Sequence, residues 1–158
     1  MASEDNRETA TAEREIVLTR VVDAPRELVW RAWTEPEHLI RWWGPDGFTN
    51  TFHEIDVRPG GVWRFVMHGP DGTDYDNKVV FLEVVEPERM VYDHGSGDDE
   101  DPMFRAVVTF EEEDGGTKVT LYTLFPTAES RDLAVREYGA IEGGNQTLAR
   151  MATYVRTM

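Results

Sequence analysis

Asp23–Pro45, DAPRELVWRAWTEPEHLIRWWGP, encodes two short helices joined by one turn and ends in a dense aromatic cluster. Pro25 suits the first turn of a helix, where its missing N–H costs nothing, and Leu28, Val29, Ala32 and Trp33 then fall on one face at helical spacing. Pro36 restarts the pattern. Leu39, Trp42 and Trp43 form the apolar face of the second helix, and Gly44-Pro45 stops it. A pair this short cannot bury both stripes against itself, so a sheet must lie beneath. The pair therefore reads as a lid rather than an active site.

The flanking sequence supplies the sheet. Glu15–Val22 is rich in β-branched residues and predicts a first strand. Residues 48–57 and 62–68 form a hairpin around Pro59-Gly60-Gly61, where glycine permits backbone angles that other residues resist. Four more strands follow over 75–85, 89–94, 103–111 and 117–125, separated by Glu86-Pro87, the 95–101 loop and Asp114-Gly115-Gly116. From about Ala128 to Tyr154 the spacing predicts one long helix, with Leu133, Tyr138, Ile141, Leu148, Met151 and Val155 along one side. The expected fold is α+β, a curved antiparallel sheet of six to seven strands wrapped around that helix, with the two short helices closing one end. Residues 1–14, polar and acidic, are expected to form a disordered tail, and residues 15–158 a single domain.

Composition narrows the function classes. Apolar content of 40% and charged content of 30% fit a soluble globular chain without a membrane-spanning stretch. The absence of cysteine removes disulfides, thiolate metal sites and cysteine nucleophiles, and makes the cytoplasm the default expectation. A formal charge of −15, from 31 acidic against 16 basic residues, would repel nucleic acid and anionic membranes, so neither is expected as a partner.

Three segments, 21–45 (VVDAPRELVWRAWTEPEHLIRWWGP), 56–72 (DVRPGGVWRFVMHGPDG) and 84–92 (VVEPERMVY), together resemble the START-like, helix-grip superfamily, and within it the group named for the activator of heat-shock-protein-90 ATPase. The resemblance runs along nearly the whole chain after the tail. It implies a cavity between the concave sheet face and the long helix. Members of the superfamily serve as lipid binders, cyclases, resistance proteins or co-chaperones, so the fold does not select a function. A chaperone partner is one expectation, against which this chain leaves no room for the additional N-terminal domain of the eponymous co-chaperone. A cyclase or hydrolase is another.

Strand alternation tells which residues would line such a cavity. It places His53, Ile55 and Val57 on one face with Trp63, Phe65 and Met67. Met90, Tyr92 and His94 point inward with Phe104, Ala106, Val108 and Phe110, and Val119, Leu121, Thr123 and Phe125 complete the face. His53 and His94, near Tyr92, offer hydrogen bonds to a ligand in an otherwise apolar pocket, or are satisfied near the sheet rim. On the long helix the stripe passes through Gly144 and Asn145, after Gly139 and Gly143, and each interior glycine costs roughly 1 kcal/mol relative to alanine. In the resembling family a tryptophan commonly follows the pair represented by Glu142-Gly143. Gly144 in its place is expected to keep space open beneath Trp63, Phe65 and Tyr92 and to present Asn145 as a polar contact, unless it serves a kink or close packing. Trp42 and Trp43 read as core, and with Trp63 also as candidates for a pocket mouth.

Catalytic signatures are missing: no G-x-S-x-G elbow, H-E-x-x-H pair, P-loop or dinucleotide fingerprint occurs. No cofactor is expected. The four histidines, at 38, 53, 68 and 94, lack the short spacing of a metal site, and only convergence of His53 and His94 with Glu142 would build an acid–base or metal constellation. The acidic 95–101 loop lacks the spaced ligands of a calcium loop and reads as a solvated hairpin tip. The leading expectation is a small-molecule binding domain for an apolar or amphipathic ligand.

Overall fold

The computed structural model describes residues 12–97 and 102–158. Seven strands, β1 (Glu15–Val22), β2 (Thr49–Ile55), β3 (Val62–His68), β4 (Asp74–Val85), β5 (Arg89–Ser96), β6 (Phe104–Glu113) and β7 (Gly116–Leu124), form one sheet in the order β1-β7-β6-β5-β4-β3-β2. Every pairing is antiparallel. The path explains the order: after β1 the helix pair α1 (Arg26–Thr34) and α2 (Pro36–Trp42) carries the chain to the opposite edge, and a meander returns it to β1. The predicted helix-grip architecture is present.

The helix pair buries its stripes as its spacing requires. Val29, Ala32, Trp33, Leu39 and Trp42 are fully buried, and Trp30 joins them. Trp33 meets Trp42 edge-on with ring centroids 4.8 Å apart, and the Trp42 indole N–H donates to the Ala32 carbonyl at 3.1 Å. That bond satisfies a buried donor which would otherwise cost about 1–3 kcal/mol.

The single long C-terminal helix is corrected to two. Gly139 adopts φ +58° and ψ +43°, a left-handed conformation that ends α3 (Ala128–Tyr138) and precedes α4 (Ala140–Val155). A side chain at that angle would cost roughly 1–2 kcal/mol, so glycine permits the break. Thr127 caps the other end of α3, accepting from the Ser130 amide at 3.0 Å. Only α4 carries a buried stripe, formed by Thr147, Leu148, Met151 and Val155, whereas Leu133 and Tyr138 of α3 are 44% and 74% exposed.

Arg14, counted from sequence with the tail, instead joins the fold: its carbonyl accepts from the Phe125 amide at 2.8 Å and its guanidinium donates to the Phe125 carbonyl at 3.2 Å. Of the expected disordered tail, residues 1–11 lie outside the described residues, as does most of the 95–101 loop tip, while Ala12 and Glu13 lead into Arg14 through a turn. Among the described residues no helix is long and apolar enough to cross a membrane.

Candidate functional site

A cavity of about 290 Å³ opens between the concave sheet face and the break in the C-terminal helices. Its walls come from Leu18 on β1, Tyr92 and His94 on β5, Leu121 on β7, and Gly144 and Thr147 on α4. Trp43, Gly44 and Pro45, at the exit of α2, close another side. Arg150 on α4 fastens that segment: its guanidinium donates to the carbonyls of Gly44 and Pro45, each at 2.8 Å, and of Phe48 at 3.2 Å. Partial burial lowers the Arg150 pKa, and the three carbonyl acceptors suit the planar fork of a guanidinium that stays charged.

The glycines of α4 answer to packing on two neighbours. A Cβ at Gly143 would lie 3.3 Å from Pro45 Cγ, and one at Gly144 would overlap Leu18 Cδ1. Gly144 thus lines the cavity, but through close approach to β1 rather than by holding space open beneath Trp63 and Phe65.

Two polar side chains on β5 face this apolar space. His94 is nine-tenths buried, with Phe104 at a ring-centroid distance of 4.8 Å and Tyr92 at 6.3 Å. Its Nε2 lies 2.9 Å from Asn77 Oδ1, while Asn77 Nδ2 donates to the Tyr75 carbonyl at 2.9 Å. A carbonyl cannot donate, so the Asn77 amide is fixed with its oxygen toward His94, and His94 Nε2 carries the proton. Nδ1 is then a bare acceptor, without a partner among the described residues. Burial pulls the His94 pKa down to about 4 and pushes that of the Tyr92 hydroxyl up, so both groups are neutral near pH 7. The Tyr92 hydroxyl also has no partner among the described residues.

Of the candidates from sequence, Trp43, Met67, Tyr92, His94, Phe104 and Gly144 reach the cavity wall. Five do not. His53 is exposed, because a bulge between Phe52 and Glu54 inserts it into β2 as an extra residue, and Phe52 takes the inward place opposite Phe65. Trp63 and Phe65 do point inward, but stack on each other at 4.1 Å beneath Phe52 and Trp43, which fill the space above them. Trp42 belongs to the same buried core. Asn145, the residue after Gly144, turns about 100° further around α4 and is exposed. The constellation of His53, His94 and Glu142 does not form, since His53 and Glu142 are exposed while His94 is buried. Glu35, Glu37 and His38 bring potential ligand atoms within 4.8 Å of one another, but none lines the cavity, and Glu35 is engaged by Arg31 at 2.9 Å.

Leu18, Thr147 and Asn77 were not legible as site residues. Glu15–Val22 has apolar residues at 16, 17 and 18 in succession, which hides the inward phase of β1. Thr147 is masked by its place beside the apolar stripe. Asn77 acts only through the β4–β5 register, in which Val79 pairs with His94.

A family model described as "Activator of Hsp90 ATPase homolog 1-like protein" matches residues 23–156. Among solved structures, a protein from Nitrosomonas europaea is similar with 30% identity and a TM-score of 0.83, covering 92% of this chain and 96% of its own. One from Mycobacterium smegmatis has 29% identity and a TM-score of 0.83, covering 93% of this chain and 94% of its own. A third, from Arthrobacter aurescens, has 25% identity and a TM-score of 0.83, covering 93% and 88% respectively. Comparison with curated protein sequences yields no match.

Proposed function

The chain belongs to the Activator of Hsp90 ATPase homolog 1-like protein family, within the START-like superfamily, and on that premise we propose that it is a binding domain holding an apolar or amphipathic small molecule between sheet and C-terminal helices. The observation that carries this reading is the cavity itself. Protein interiors pack at the density of organic crystals, and about 290 Å³ of apolar space forfeits dispersion contacts that a larger side chain would recover. A ligand recovers them instead. The few polar atoms in the wall fit the usual anatomy of a small-molecule site, where isolated polar groups fix orientation within an apolar surround. Trp43, Met67, Tyr92, His94, Phe104 and Gly144 are proposed to touch the ligand.

An acid–base role for His94 finds no support in this setting. A pKa of about 4 is too low for a general base working near neutral pH, and no second histidine or carboxylate joins it among the described wall residues.

The test is native mass spectrometry of the protein purified from its own host, with titration of the uncharged fluorophore N-phenyl-1-naphthylamine alongside. The expected result is a co-purifying small molecule, or fluorophore binding, in the wild type and its loss in Leu18→Trp, whose larger ring fills the cavity from β1. A wild-type protein that carries nothing and leaves the fluorophore dark would overturn the reading.

A further inference from the structure

Among the described residues, the walls of the cavity carry no aspartate, glutamate, lysine or arginine, although the chain as a whole holds 31 acidic and 16 basic residues. Transfer of an unpaired carboxylate or ammonium into such a wall costs far more than any contact it would gain there. Besides the hydroxyls of Thr123, Tyr138 and Thr147, the last donating to the Gly143 carbonyl at 2.9 Å, the polar side chains in the wall are His94 and Tyr92. Asn77 Oδ1 accepts a hydrogen bond from the Nε2–H of His94, and the Asn77 amide is itself oriented by the Tyr75 carbonyl, so Nδ1 accepts and cannot donate. The Tyr92 hydroxyl, two residues along the same strand face, is free to donate or accept. Neither atom is sealed in protein: among the described residues, the fully enclosed polar side-chain atoms lacking a partner are Arg26 Nε, Asn50 Oδ1 and the indole nitrogens of Trp33, Trp43 and Trp63.

Resting on the binding role argued above, we infer that the ligand is uncharged and bears a hydroxyl, which donates to His94 Nδ1 while its oxygen accepts from Tyr92. A hydroxyl is both donor and acceptor, so one group meets both side chains. A ligand with only acceptors leaves Nδ1 desolvated and unpaired, at a cost in affinity. A carboxylate would face Nδ1 lone pair against lone pair, with no cation among the described wall residues to offset it. Because burial keeps His94 neutral down to about pH 4, the imidazolium that would welcome an anion does not form near neutrality.

Three probes that share one bicyclic body separate these possibilities in calorimetric titrations at neutral pH: 2-naphthol, 2-methoxynaphthalene and 2-naphthoate. Wild-type protein should bind naphthol about five- to tenfold more tightly than the methoxy compound, and naphthoate at least about a hundredfold more weakly. In His94→Leu the ratio of naphthol to methoxynaphthalene should collapse toward one, and Tyr92→Phe should reduce it in part. A readout on the unaltered protein accompanies the variants. Histidine labelled with nitrogen-15 should show His94 Nδ1 unprotonated, and its resonance should move on addition of naphthol but not of methoxynaphthalene.

Naphthoate binding as tight as naphthol, or a naphthol preference that survives His94→Leu with Nδ1 unmoved in the wild type, overturns the inference and leaves the binding role standing. If none of the three probes binds the wild type, the inference fails, and the binding role is decided by the co-purification and fluorophore experiments above.

Discussion

Leu18 on β1 packs so closely against Gly144 on α4 that a Cβ on the glycine would overlap Leu18 Cδ1. The helix and the edge strand therefore meet through one side chain and one missing side chain. The encroaching atom is the far end of a flexible leucine beside the cavity, which gives it somewhere to turn.

That pairing predicts a change of sign with background. Gly144→Ala gains about 1 kcal/mol of helix propensity but forces Leu18 aside, for a net loss of about 0–1 kcal/mol. In Leu18→Ala the obstruction is gone, and the same substitution should stabilise by about 1 kcal/mol. Urea denaturation of the four proteins in the cycle measures the coupling. Equal effects in both backgrounds would show that the two residues do not meet.

His94 makes stability depend on pH in a defined window. Its folded pKa, about 4, lies below the ordinary value of 6.5, so the unfolded chain binds this proton first as pH falls. Above 6.5 both states are neutral there and nothing changes. Between 6.5 and about 4 stability declines, by about 2 kcal/mol on going from about pH 7.5 to about pH 5. His94→Phe should remove that part of the decline. Denaturation curves at the two pH values check it, and an identical decline in both proteins would contradict it.

Arg150 should act as a clamp. Arg150→Met leaves the carbonyls of Gly44, Pro45 and Phe48 without their donor and should cost about 2–3 kcal/mol. Arg150→Lys should recover only part of this, since a point ammonium does not reproduce the planar fork. Hydrogen exchange should quicken first along residues 44–50. A loss spread evenly over the chain would argue for simple destabilisation instead.

Gly139 sets the break between α3 and α4 through its positive φ. Gly139→Ala should cost about 1–2 kcal/mol, and Gly139→Asn less, because asparagine tolerates the left-handed region better. Thermal unfolding ranks the three. An alanine variant as stable as the wild type would mean that the helix runs through residue 139 in solution.

The architecture was legible because each segment carried its own period. The tryptophan-rich helix pair, the alternation of Met90, Tyr92 and His94, and the glycine turns all agree with one sheet and one lid. What failed did so where one residue resets a pattern. The bulge at His53 costs one step of register and exchanges it for Phe52, and Gly139 ends a stripe that spacing alone would carry onward. The cavity wall is only half legible for a related reason. Alternation tells which side chains face inward but not which of them are covered by a second layer, as Trp63 and Phe65 are by Phe52 and Trp43.

Strand β1 offers an internal control for entry of an uncharged ligand into the space between sheet and helices. Leu18 lines the cavity, whereas Val17 and Val21 on the same strand face outward and are 52% and 59% exposed. Methyl-resolved NMR during titration with 2-naphthol reads both faces at once. The largest shifts are expected at Leu18, Met67 and Leu121, with Val17 and Val21 unmoved. Shifts confined to Val17 and Val21, or none at any methyl up to the solubility of the probe, would contradict it.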